Sequence, residues 1–171
     1  MAHLEQINFC KEVKYFLPKY FKNKDVLDVG CMDINGNNRY LFDNCNYYGI
    51  DLGDGNNVDE VCHVTKFNKG CQYDVIISTE ALEHDKYYRE SLMKMYDLLR
   101  PDGLLIITCG TFERAEHGTH HRSAHASPHT LDDYNNITNE MFFNSLDIGK
   151  FRQVKFNNDL YDLQFAGVKA I

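Results

Sequence analysis

Two short runs in this chain end in the same way, and that repetition restricts the fold more than any other feature. Asp25-Val26-Leu27-Asp28-Val29 closes on Gly30, and Asn46-Tyr47-Tyr48-Gly49-Ile50-Asp51 runs into Leu52-Gly53-Asp54-Gly55. Each reads as a strand that ends near an acid and opens into a glycine-bearing loop. A third run, Tyr73-Asp74-Val75-Ile76-Ile77-Ser78, is apolar nearly throughout, which suits a strand covered on both faces of a parallel sheet. Leu104 to Thr108 is a fourth strand, and a weaker one is expected at Val58 to Cys62. Leu4, Ile7, Val13, Phe16, Leu17 and Tyr20 recur at helical spacing and predict a covering helix within residues 1–22. Tyr88, Leu92, Met95 and Leu98-Leu99 mark a second helix, which Pro101-Asp102-Gly103 stops. Arg39 to Phe42 allows a turn or two of helix, and Asn139 to Leu146 a short one. Phe151 to Phe156 and Leu160 to Val168 then form a hairpin about Asn157-Asn158-Asp159. Strands alternating with helices give an α/β fold: a mostly parallel seven-stranded sheet, helices on both faces, and a C-terminal antiparallel hairpin.

The 171 residues suit one domain, 1–171, with a single core. Lys and Arg number 18 against 25 Asp and Glu, so the net charge of −7 repels phosphate backbones and anionic membranes. No nucleic-acid partner is expected. No apolar run reaches the roughly 20 residues that cross a bilayer, and no basic-then-apolar leader opens the sequence, so a cytoplasmic location without a membrane partner is expected. Cys10, Cys31, Cys45, Cys62, Cys71 and Cys109 are scattered without a C-x-x-C pair, as reduced thiols would be.

Open α/β sheets bind ligands at the carboxyl ends of their strands, here Asp28-Val29-Gly30, Ile50-Asp51, Ser78-Thr79-Glu80 and Thr108-Cys109-Gly110. The segments Val26 to Cys31, Tyr48 to Asp51, Tyr73 to Ser78, Leu98 to Leu104 and the closing hairpin, taken in order, resemble a class I S-adenosylmethionine-dependent methyltransferase. The resemblance covers nearly the whole chain and implies a Rossmann-like fold. Asp33-Ile34-Asn35-Gly36, Ser78 to Asp85 and Glu116-His117-Gly118-Thr119 resemble, more narrowly, a small branch that modifies sugars and glycans.

The resemblance makes S-adenosylmethionine the expected cofactor and implies a binding set of Asp28, Gly30, Cys31, Met32, Gly36, Asp51, Leu52, His63, Ser78 and Thr79. Gly30 would let the backbone turn closely under the methionine moiety while neighbouring amides bond its carboxylate. Asp51 would accept both ribose hydroxyls. The alternative is that both acids merely end strands. The family's second loop glycine is replaced by Met32, with Gly36 available for a displaced turn, and Cys62-His63-Val64 stands where an acid commonly meets the adenine.

A sugar hydroxyl needs a base, a metal, or both to attack a sulfonium methyl. Glu80-Ala81-Leu82-Glu83-His84 places two carboxylates and an imidazole at a strand end, and its spacing resembles the divalent-metal motif of methyltransferases acting on vicinal oxygens. Glu83, His84 and His117 are the catalytic candidates; Glu80, Glu83, His84 and His117 are the metal candidates, for Mg²⁺ or Mn²⁺. The plain alternative is a helix start, with acids favoured by the dipole and Asp85 as cap. Residues 110–136 hold five of the eight histidines and read as a lid or substrate segment. His121, His125 and His129 would align if helical; solvated histidines are the other reading. The expected reaction is O-methylation of a sugar or glycan hydroxyl, with a small-molecule or glycan substrate as partner and a homodimer left open. Its rivals are a metal-independent small-molecule methyltransferase and a cofactor-binding interaction module without activity. A nicotinamide-dependent dehydrogenase is disfavoured, since G-x-G-x-x-G is absent after the first strand.

Overall fold

The computed structural model describes residues 3–171, so the first two positions of the expected 1–22 helical region lie outside the described residues. Strands β1 (Asp25–Val29), β2 (Asn46–Asp51), β3 (Glu60–Val61), β4 (Tyr73–Thr79), β5 (Leu99–Gly110), β6 (Phe151–Asn158) and β7 (Asp162–Lys169) form one sheet in the order β3-β2-β1-β4-β5-β7-β6. The first five run parallel, and β7 is antiparallel to both β5 and β6. The fold is the α/β arrangement expected, with the hairpin returning its second strand between β5 and β6.

Alternation explains how the sheet carries two cores. Leu27, Ile76, Leu105 and Ile107 face one side, packed with α2 (Tyr88–Leu98) and α3 (Asn139–Ser145). Val26, Val75, Ile77, Leu104 and Ile106 face the other, under α1 (Leu4–Phe16) and the 3₁₀ turn Pro18–Phe21.

Four local readings need correction. The buried stripe of α1 is Gln6, Phe9, Cys10 and Val13, an i, i+3, i+4, i+7 set, while Leu4 and Phe16 are each 66% exposed. Pro101-Asp102-Gly103 does stop α2, but it lies inside β5: Asp102 takes a left-handed φ of 62°, and the register with β4 shifts at Tyr73/Val75. The edge strand at Val58 to Cys62 shrinks to two residues. Between Gly110 and Asn136 the described backbone contains one 3₁₀ turn, Ala124–Ala126, so the helical alignment of His121, His125 and His129 does not occur.

Candidate active site

The carboxyl ends of β1, β2 and β4 surround a cleft of about 1080 Å³ including its open mouth. All ten cofactor candidates line it, from Asp28 on β1 and Gly30 just past its end to Ser78 and Thr79 on β4. Gly30 has a φ of 75°, which glycine adopts without strain, and a Cβ there would stand 2.4 Å from the Cβ of Ala81. Its missing side chain therefore makes room for the β4 loop. The sequence suggested that the neighbouring amides bond a carboxylate, but they are engaged within the chain: Gly30 and Cys31 donate to the Ile50 carbonyl at 2.9 and 3.2 Å, and Asp33 to the Asn56 carbonyl. Met32 donates to Asp51 Oδ2 at 2.9 Å, and its side chain packs over Gly55. Met32 thus replaces the absent second glycine by filling the loop rather than turning it. Gly36 closes a local turn, donating to Asp33 Oδ1 at 2.7 Å.

Asp51 also accepts from the Leu52 amide at 2.7 Å, which fixes the carboxylate at the rim and leaves lone pairs for a ribose. Asp28 is buried beneath it. Tyr47 Oη donates to Asp28 Oδ2, Asn38 Nδ2 lies 3.5 Å away, and Oδ1 has no partner among the described residues. Burial pushes this carboxyl up to about 7, against the opposing hydrogen bonds from Tyr47 and Asn38. An unpartnered oxygen beneath the cleft and a rim carboxylate both suit a ligand carrying an ammonium and a diol, so the residues fit the expected cofactor. Ser78 Oγ donates to the Val29 carbonyl at 2.8 Å, stitching β4 to β1. Both nitrogens of His63 are engaged: the Thr65 amide donates to Nδ1, and Nε2 donates to Asp85 Oδ1 at 3.1 Å. His63 can therefore offer a cofactor only its carbon edge and ring face.

Sequence reasoning missed Gln6 and Asn38 and gave Asp85 only a capping role; Gln6 and Asn38 line the cleft, as do Asp85 and residues 126–130 of the expected lid or substrate segment. Gln6 donates to Asn38 Oδ1 at 3.3 Å, and Asn38 donates to Thr79 Oγ1 at 2.9 Å, so α1 reaches the cleft floor through a polar chain. The only signal for Gln6 was a polar residue on an otherwise apolar helical face.

Beside the cleft the structure brings Glu83, His84 and His117 together, with ligand atoms within 4.8 Å of one another. Glu83 is 1% exposed, and neither of its oxygens has a hydrogen bond of normal geometry to the described residues. Burial pushes its carboxyl above the usual range, with nearby amides of Glu83 and Gly110 opposing. Burial and the adjacent His117 hold His84 down to about 3, and burial lowers His117 as well, so both rings are neutral at pH 7. His117 Nδ1 lies 3.1 Å from the Ala115 carbonyl, which only accepts, and this puts the His117 proton on Nδ1. Its bare Nε2 then faces His84 Nε2 at 3.2 Å. That separation suits a hydrogen bond, and it equally suits two nitrogens held at about 2.0–2.1 Å on one ion.

Glu80 does not join this group. Its φ of 54° turns the side chain toward β5, where Thr108 Oγ1 donates to it at 2.8 Å and Arg114 Nη2 lies 3.5 Å away. Nor is Glu80 or Glu83 at an α-helix start, the alternative the sequence left open: a 3₁₀ turn, Leu82–His84, intervenes. Asp85 does brace the entry to α2, accepting from the Tyr87 amide at 2.7 Å and from Ser91 Oγ. His120, His121 and His125 are exposed, with His120 paired to Asp132.

Residues 1–143 match a family model described as a methyltransferase domain. The chain belongs to that family of methyltransferases. Its fold is the class I fold of S-adenosylmethionine-dependent enzymes, as three solved structures show. The 1,6-didemethyltoxoflavin-N1-methyltransferase of Burkholderia thailandensis is 16% identical with a TM-score of 0.66, covering 97% of this methyltransferase and 78% of itself. The phosphoethanolamine N-methyltransferase 2 of Haemonchus contortus gives 15% and 0.68 over 96% of this chain and 53% of its own. The N-methyltransferase NodS of Bradyrhizobium japonicum WM9 gives 13% and 0.59 over 98% and 100%. No curated protein matches the sequence.

Proposed function

We propose that this methyltransferase moves a methyl group from S-adenosylmethionine to a hydroxyl of a sugar or glycan, with the cofactor in the Asp28–Asp51 cleft and the acceptor beside Glu83, His84 and His117. One observation carries the reading: a buried carboxylate whose oxygens make no hydrogen bond of normal geometry to the described residues lies against two neutral imidazoles at the edge of the cleft. Buried polar groups without partners are costly, and a group kept so is poised for a ligand or a proton. The Burkholderia structure holds S-adenosylhomocysteine, which supports the cofactor. The named neighbours are N-methyltransferases, so the oxygen acceptor rests on the resemblance of segments 33–36, 78–85 and 116–119 and on the Glu83 group.

The sulfonium supplies an electrophilic methyl, and the chain supplies alignment and a proton acceptor. Asp51 holds the ribose end, and Asp28 Oδ1 offers an acceptor for the ammonium. Glu83 takes the hydroxyl proton, aided by burial, which makes its carboxyl a better base. The His84–His117 pair fixes the acceptor oxygen. Glu83, His84 and His117 would also hold a divalent ion such as Mg²⁺ or Mn²⁺, which would lower the hydroxyl pKa.

Calorimetric titration with S-adenosylhomocysteine followed by methyl-transfer assays on a sugar panel tests the proposal. Glu83→Gln and His84→Ala are expected to cut turnover by roughly 10²-fold or more with S-adenosylhomocysteine affinity retained. Wild-type turnover in both variants, or no cofactor binding by the wild type, defeats it. A second reading, catalysis without metal, is favoured by the direct His84–His117 contact; turnover unchanged after exhaustive chelation would select it.

A further inference from the structure

Resting on the cofactor reading above, we infer that residues 126–130 roof the cofactor cleft, latched by His129 on Gly53, and that Gly118 joins this roof to His84. Binding of the cofactor would then set the acceptor-side imidazoles before an acceptor arrives.

Ala126, Ser127, Pro128, His129 and Thr130 line the same cleft as Asp28 and Asp51, although they lie more than seventy residues further along the chain. The tip of the His129 imidazole sits where a Gly53 side chain would be: Cδ2 and Nε2 are each 2.0 Å from the position of a Cβ. Gly53 is two residues past Asp51, and its amide lies 3.4 Å from Asp51 Oδ1, so the ring presses on the loop that orients the ribose-binding carboxylate. On the other side of the roof, the Ser127 Cβ lies 2.6 Å from the Cβ position of Gly118, and His84 Cε1 lies 2.8 Å from that same point. Gly118, at a φ of 69°, is thus pinched between roof and catalytic imidazole with no room for a methyl group. A shift at Ser127 is transmitted to His84 because close-packed contacts do not absorb it. Two non-glycine residues in left-handed conformation, Ser123 at 51° and Asp132 at 69°, bracket the roof and are its natural hinges. His129 acts through Gly53 and Asp51, as a positioning residue.

The test is a two-residue cycle with S-adenosylhomocysteine as the probe. His129→Ala removes the latch, and Gly53→Ala puts a methyl group in its seat. Each is expected to weaken S-adenosylhomocysteine roughly fivefold or more in calorimetry, and the double variant to bind no worse than Gly53→Ala alone, because the collision has gone. Hydrogen exchange of residues 117–130 is expected to slow when the wild type binds S-adenosylhomocysteine and not when His129→Ala does. Unchanged affinity in His129→Ala, strictly additive effects, or no protection of 117–130 in the wild type overturns the latch while leaving the cofactor site intact. Failure of the wild type to bind S-adenosylhomocysteine defeats the cofactor reading itself.

Discussion

Gly30 and Asp28 show how single residues define the cleft. A methyl group at Gly30 would meet Ala81 at 2.4 Å on a backbone already at a φ of 75°. Gly30→Ala should therefore cost about 2–4 kcal/mol, from left-handed strain plus overpacking, readable in urea unfolding. A loss below about 0.5 kcal/mol, the range of ordinary surface substitutions, would mean that the two loops do not touch. Asp28 gives a pH signature. Its carboxyl is raised to about 7 by burial, so the folded chain holds this proton more tightly than the unfolded chain does. The resulting stability is fully present below about pH 4 and is lost as pH rises through about 7. Asp28→Asn keeps the group neutral, and its stability relative to wild type should rise by roughly 1–4 kcal/mol between pH 5 and 8. Glu80, also raised to about 7 by burial, titrates in both proteins and so drops out of the comparison. An equal difference at the two pH values would show that Asp28 is ionised throughout.

Helix α1 illustrates where element-level reading succeeds and where it fails. Phe9 is 2% exposed and Phe16 is 66% exposed. Phe9→Ala should cost about 3–5 kcal/mol and Phe16→Ala less than about 0.5 kcal/mol in denaturant unfolding. The reverse order would put the other face of the helix on the sheet. The helix itself was legible from its spacing; its face was not, because Leu4, Ile7 and Phe16 outweigh Gln6 on any apolar count, and only the polar chain to Asn38 makes Gln6 an inside residue. β4 and the core of β5 were legible because Val75 to Ile77 and Leu104 to Ile107 are uninterrupted apolar runs, and β1 because its short β-branched run closes on Gly30. β5 exceeded its expected length because Pro101 and Gly103, usual stop signals, are absorbed by a bulge at Asp102. In the candidate site, Glu83 and His84 are adjacent in sequence, and His117 was marked only by the resemblance of Glu116 to Thr119, not by any spacing relative to them. The seat of His129 on Gly53 joins residues 76 positions apart (129 − 53) and is invisible to any window of sequence.

At the scale of the whole molecule, the charge of −7 and the acids on the cleft wall, Asp51 and Asp85 among them, set up a field unfavourable to anions. A neutral sugar should show a KM indifferent to ionic strength, whereas a phosphorylated acceptor should show one that falls as salt screens the repulsion. Initial rates across a salt series decide this, and a KM for an anionic acceptor that climbs with salt would reveal a basic subsite. The sheet order has a further consequence. β7, Asp162–Lys169, lies between β5 and β6, so an interior position of the sheet is filled by a strand that follows both of its neighbours in the chain. While the protein is being synthesised, β5 exposes an unpaired edge until that final strand leaves the ribosome. The sheet therefore cannot close until β7 has been made, and the nascent chain is most open to aggregation or chaperone capture in the interval between the synthesis of β5 and that of β7.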